Sequence, residues 1–218
     1  MLTSMLLMTQ VTWAYNPTWE ELYKPDDWVK QSVHSSDIGD IIVYKKMIDG
    51  FPCFQGETTA SLPIPMMLEV AADAPSAVEW STAGVKEGIE LARTELYVDY
   101  YQYLDVPVVS DRYWVLRGYF EKDGAIHLFR WEKLVNGGPH SDFYKSIQEQ
   151  YPDAEEALIN IGAWIFTPTD QNVIQIQYRL CSHPGGSVPA VLQSIATEQS
   201  LPNNLRDMIQ ETQRRIKN

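Results

Sequence analysis

Basic residues are scarce in this chain: Lys and Arg number 17 against 29 Asp and Glu in 218 residues, a formal charge of −12 with His neutral. So little positive charge argues against a nucleic-acid-binding surface and against general attraction to anionic lipid. Cysteine is scarcer still. Cys53 and Cys181 are the whole set, fit no metal-ligand spacing and make no disulfide framework. The expectation is two plain thiols, with the redox compartment left open. His34, His127, His140 and His183 are scattered without an HExxH or paired ligand spacing, so neither metal nor cofactor is expected. The GxSxG elbow, the P-loop and GxGxxG are also missing. No catalytic residue is assigned, although a dyad built from distant residues stays open. Adjacent acids such as Asp26 with Asp27, or Glu155 with Glu156, read as solvated helix ends.

Long apolar runs are missing too. The first fourteen residues, MLTSMLLMTQVTWA, are too short to span a bilayer, which takes about 20 apolar residues. With no Lys or Arg before the apolar stretch, residues 1–16 read as a weak signal-like segment or an ordered amphipathic extension. Location stays unassigned: cytoplasmic, or periplasmic or secreted if this segment is a signal peptide. Residues 17–218 read as one domain.

What is present is strong patterning at the C-terminal end. Pro184, Gly185 and Gly186 stop a strand, and Ser187 offers a cap for a helix starting near Val188. Val188, Val191, Leu192, Ile195, Leu201, Leu205, Met208, Ile209 and Ile216 then recur at three- and four-residue steps. Pro202 predicts a kink or a restart, with Ser200 as a second cap. At about 1.5 Å per residue the segment reaches about 40 Å, so it needs a large apolar partner.

That partner is legible upstream. TWEELYKPDDWVKQSVHSS reads as a surface helix restarted at Pro25. Residues 41–48 and 53–62 read as a hairpin around Asp49, Gly50, Phe51 and Pro52. PIPMMLEVAADAPSAVEW is helical, interrupted at Pro75. From residue 85 the period becomes two, and strands are expected over 85–94, 96–106, 112–121, 125–134, 158–166 and 173–180, with a surface excursion over 137–152 that includes a helical FYKSIQEQ. Sequential strands usually neighbour one another, so the expected class is α+β: a curved antiparallel sheet wrapped around the long C-terminal helix. Such an assembly tends to leave an internal apolar cavity where function would sit.

IIVYKKMIDG followed by FQGETTASLP, then PVVSDRYWVLRGYF and CSHPGGSVPAVLQS, in this order of elements, resemble START domains, the StAR-related lipid transfer domains, especially bacterial ones, within the helix-grip (SRPBCC) superfamily. The likeness runs from Trp19 to the C-terminus. The chain departs from the family at Tyr113, which follows Arg112 where an Asp is usual. The resemblance implies a single START-like lipid-binding domain whose cavity takes one lipid or other hydrophobic small molecule. It also implies access governed by loops near 84–86 and 105–111 and by the start of the last helix, room for transient membrane contact, and no enzyme activity. The alternative is a helix-grip enzyme of the polyketide cyclase or hydroxylase-helper type, with a cavity acid or His127 as base. Oligomeric state is unread.

Sterol-type members of that family pair a basic residue on one strand with an acid on the preceding strand, and Arg117 and Asp99 fall at or near these positions. Independently, Arg117 sits in YWVLRGYF, apolar on both faces, so its guanidinium needs an acid or a polar ligand group. Either the pair holds a ligand head at the cavity floor or it is structural. Tyr97, Tyr101, Tyr113, Tyr119, Trp131, Trp164 and Tyr178 are candidate wall residues, most of them equally readable as core. Val191 and Ile195 are the candidates from the terminal helix.

Overall fold

The computed structural model describes residues 17–105, 110–169, 172–186 and 190–217, the side chains of 136 and 190–197 excepted. Within these bounds a short helix α1 (Trp19–Tyr23) is capped by Thr18, whose hydroxyl accepts from the Glu21 amide at 3.3 Å. It leads into β1 (Val29–Ser36), β2 (Gly39–Ile48) and β3 (Phe51–Ala60). The helical reading of residues 29–36 is corrected here. VKQSVHSS is an exposed edge strand paired antiparallel with β2, and its period-two Val29 and Val33 carry too few apolar groups to distinguish strand from surface helix. The β2–β3 turn is tighter than expected: Asp49 and Gly50 both take positive φ, 48° and 79°, the two-residue geometry that matches strand twist. Phe51 and Pro52 already belong to β3.

Helices α2 (Ile64–Ala72) and α3 (Ala77–Trp80) follow, then β4 (Val85–Arg93), β5 (Tyr97–Leu104), β6 (Arg112–Asp123) and β7 (Ile126–Lys133). A 3-10 turn (Val135–His140) opens α4 (Ser141–Gln150), and β8 (Glu155–Glu156), β9 (Ile159–Pro168) and β10 (Ile174–His183) complete the sheet. The last element is α5 (Ala190–Lys217), which is unbroken at Pro202, so no restart occurs there. Ser187 and its expected cap lie outside the described residues, as do residues 1–16.

Strand order is β1-β2-β3-β10-β9-β7-β6-β5-β4, with the two-residue β8 parallel to β6. The sheet is curved and antiparallel apart from that pair. Neighbours are sequential in most of it, but β3 joins the last strand, with Gly56 opposite Tyr178. Cys53 and Cys181 lie at this seam, and the structure bridges them with their Cα atoms 4.4 Å apart. Plain thiols were expected because spacing along the chain carries no sign of a pairing across 128 residues.

The inner face of the sheet holds α5, α2 and α3. Leu205, Met208 and Ile209 of α5 pack with Met67 and Val70 of α2 and with Val98, Leu116, Phe129 and Ile176 of the strands. Gly56 brings α5 close: a Cβ there would lie 2.5 Å from Leu205 Cδ1. The outer face is covered separately, by α1 over Cys53, Cys181 and Ile161 and by α4 over Tyr101, Tyr113 and Val115. Side chains alternate across a strand, so membership of the inner or outer face is fixed by parity.

Candidate functional site

Between the inner face and the helices lies a cavity of about 380 Å³. Its aromatic wall comes from the strands. Trp164 stacks on Tyr178 with centroids 4.2 Å apart, Trp131 also stacks on Tyr178 at 5.7 Å, and Tyr100 and Phe129 continue the surface. The helices contribute small and apolar groups, among them Val70, Ala74, Ala77 and Trp80. Wall tryptophans bury their ring N–H donors against amides: Trp131 Nε1 donates to Asn160 Oδ1 at 2.9 Å and Trp114 Nε1 to Gln102 Oε1 at 3.1 Å. Burial pushes the Tyr100 and Tyr178 phenols up, with a bond to Asn204 working the other way on Tyr178. Both are neutral hydrogen-bonding groups at ordinary pH.

Two other ionisable side chains reach the described wall, Asp73 and Arg112. Asp73 is occupied: Arg215 of α5 donates to its Oδ2 at 2.8 Å and the Ser76 amide to its Oδ1 at 3.2 Å. Burial opposes its ionisation, but these bonds outweigh burial and lower its pKa. With Asp207, which accepts both the amide and the hydroxyl of Thr82 at 2.8 and 2.6 Å, it locks α5 to the α2–α3 segment that roofs the cavity.

The candidate residues divide by strand parity. Trp131, Trp164 and Tyr178 line the cavity. Arg117 and Asp99 form the expected pair, directly opposite in register, with Nε–Oδ1 at 2.6 Å and Nη2–Oδ2 at 2.8 Å. They stand on the outer face, however, which corrects their placement at a cavity floor. His140, just ahead of α4, donates from Nε2 to Asp99 Oδ2 at 2.8 Å, and Tyr97 stacks 4.0 Å from the guanidinium. Tyr101 and Tyr113 pack beneath α4, and Tyr119 bonds Glu132 on the same outer side. The reason is local: YWVLRGYF is apolar on both faces, so its alternation does not announce which side meets α5. Val191 and Ile195 fall on α5 where side chains are outside the described residues.

Sequence reasoning missed Arg112, Gln102, Asn160 and Asn204. A signal existed in α4: Phe143, Tyr144, Ile147 and Tyr151 form an apolar stripe. That stripe needs a second apolar sheet face, which assigns the odd-numbered residues of β5 and β6 outward and Arg112, Trp114 and Leu116 inward.

No protein-family profile matches the chain, and no curated protein matches it. Solved structures do. A STAR-related lipid transfer protein from Xanthomonas axonopodis is 21% identical over 86% of this chain and 99% of that one, with a TM-score of 0.71. Human StAR-related lipid transfer protein 5 is 10% identical over 91% and 92%, at 0.68. The Zhui aromatase/cyclase from a Streptomyces species is 12% identical over 75% and 94%, at 0.50. At these identities the likeness is one of architecture: the chain has the START-domain form of the helix-grip fold.

Proposed function

We propose that this protein binds a single lipid or similar hydrophobic small molecule between its sheet and its terminal helix, as a carrier and not as a catalyst. The observation that carries this reading is the cavity of about 380 Å³ walled by stacked aromatic rings. Ligand pockets run from roughly 300 to 1,000 Å³ and are mostly apolar with a few placed polar groups. Each buried methylene contributes about 0.8 kcal/mol, so an alkyl chain binds without any ionic contact. The lipid-transfer names of two similarly folded proteins support the same reading.

The aromatase/cyclase of the same fold keeps an enzyme reading in view. The described wall favours the carrier. Its carboxylate, Asp73, is tied to Arg215 and Ser76, and His127 is not among the wall residues. Native mass spectrometry before and after incubation with a mixed lipid extract tests the proposal. A defined adduct of lipid mass is expected, and no adduct from any mixture overturns it. Turnover of a polyketide-like substrate, abolished in His127→Ala, would establish the enzyme instead.

A further inference from the structure

Arg112 is the first residue of β6, opposite Leu104 of β5, and its side chain is 3% exposed while lining the cavity. Its partners among the described residues are backbone carbonyls: Nη1 donates to Ser110 and to Asp111, the latter at 3.2 Å, and Nη2 to Gly185 at 3.4 Å. The Nε–H is buried with no acceptor among the described residues. No carboxylate among the described residues stands within ion-pair distance of it. Of the neighbouring acids, Asp111 accepts the Tyr103 hydroxyl at 2.5 Å, and Glu155, opposite Arg112 in the β6–β8 pair, has its carboxylate beside Gly186. Carbonyl dipoles therefore solvate this cation only in part, and a buried donor without an acceptor is a standing cost.

The surroundings form one polar end of the cavity. Gly185 ties Arg112 to the exit of β10, where Ser182 lines the wall, and Ser182 lies opposite Asn160 in the β9–β10 register. The α2 and α3 residues of the wall supply Val70, Ala71, Ala77 and Trp80. An occupant matched to this arrangement has an oxyanion for Arg112 and an apolar body for the rings. A volume near 380 Å³ suits one chain better than two, being low in the usual range for pockets.

Resting on the carrier reading above, we propose that Arg112 receives the anionic head, a carboxylate or a phosphate monoester, of a single-chain amphiphile whose tail occupies the aromatic cavity. Guanidinium groups match both oxyanions in geometry and charge.

Calorimetric titration of the full chain with dodecanoic acid, dodecyl phosphate and dodecanol at about pH 8, where the acid is ionised, tests this. At least one anion should bind tighter than the alcohol by roughly tenfold or more, the worth of a charge-assisted bond, and whichever gains more identifies the head. Arg112→Gln should collapse that preference while dodecanol affinity persists. Equal binding of alcohol and anions by the natural chain, or an unchanged preference in Arg112→Gln, overturns the assignment and leaves the carrier reading standing. Binding of no probe overturns both. Should Arg112→Gln fail to fold, nitrogen NMR of the arginine Nε–H groups in the natural chain decides. One resonance should move with the anion and not with the alcohol, and the absence of such a shift overturns the assignment.

Discussion

Arg117 grips both carboxylate oxygens of Asp99 across adjacent strands, and the pair faces away from the cavity, under the turn that begins α4. It therefore fastens α4 to the outer face. Arg117→Leu strips one of two hydrogen-bonding partners, and the guanidinium charge, from an aspartate that is 1% exposed. Since His140 remains and Arg117 is itself partly exposed, the expected loss in urea unfolding is about 2 kcal/mol, below the full cost of breaking a buried pair. Affinity for an apolar ligand should stay within twofold. A tenfold loss of affinity with stability intact would place Arg117 at the ligand after all.

The same pair sets an acid limit. Burial opposes ionisation of Asp99, but the bonds from Arg117 and His140 prevail and hold its pKa below the ordinary 3.8. A lowered folded pKa means that the contribution is complete above the unfolded value and is lost as pH falls through the folded one. The stability gap between the natural chain and Asp99→Asn should be constant near neutrality and shrink below about pH 4. A gap that does not change with pH would mean that charge is not what Asp99 contributes.

Bridging Cys53 to Cys181 closes a loop across a sequence separation of 128. Loss of the bridge in Cys53→Ser should lower unfolding free energy by about 3–4 kcal/mol, mainly through a freer unfolded chain. Equal chemical-denaturation midpoints under reducing and oxidising conditions would show that the bridge adds nothing.

Gly88 of β4 runs directly under the link between α2 and α3, where a Cβ would stand 2.1 Å from the Ala74 carbonyl oxygen. Backbone cannot yield as a side-chain tip can, so Gly88→Val should cost about 2–3 kcal/mol. Ala74 also lines the cavity, and ligand affinity should fall with it. Thermal unfolding and dye displacement would read the two effects together.

Ala77, 5% exposed on the cavity wall, offers the converse change. Ala77→Phe places a ring in the space proposed for ligand, so affinity should fall by tenfold or more at a stability cost of about 1–2 kcal/mol. Unchanged affinity would put the ligand elsewhere.

How much of this was legible in the sequence depends on whether the signal was local. The Asp49–Gly50 turn, the α2 and α3 helices around Pro75 and the long amphipathic α5 carry their signals within a few residues. The pairing of β3 with β10 does not, because nothing near Gly56 refers to Tyr178. Residues 29–36 were mistaken for helix because an edge strand exposed to water lacks the one-sided burial that betrays a strand. That Arg117 needs an acid or a polar ligand group was readable from chemistry, an arginine in an apolar strand, and the family resemblance pointed to Asp99, whereas the pair's side of the sheet was not readable. That side follows from α4, whose apolar stripe requires a surface of its own.

The junction of β3 with β10 also bears on how the chain folds. A hairpin from the first third of the sequence ends in the centre of the sheet beside a strand from the last fifth, so the central ladder waits on a contact between distant segments. Contacts of such long sequence separation close slowly and late. During synthesis β2 and β3 must persist with an unpaired edge until nearly the whole chain has appeared, and the aromatic chamber exists only after that last join. Oxidative closure at Cys53 and Cys181 falls at the same join, the one that makes a container out of a ribbon.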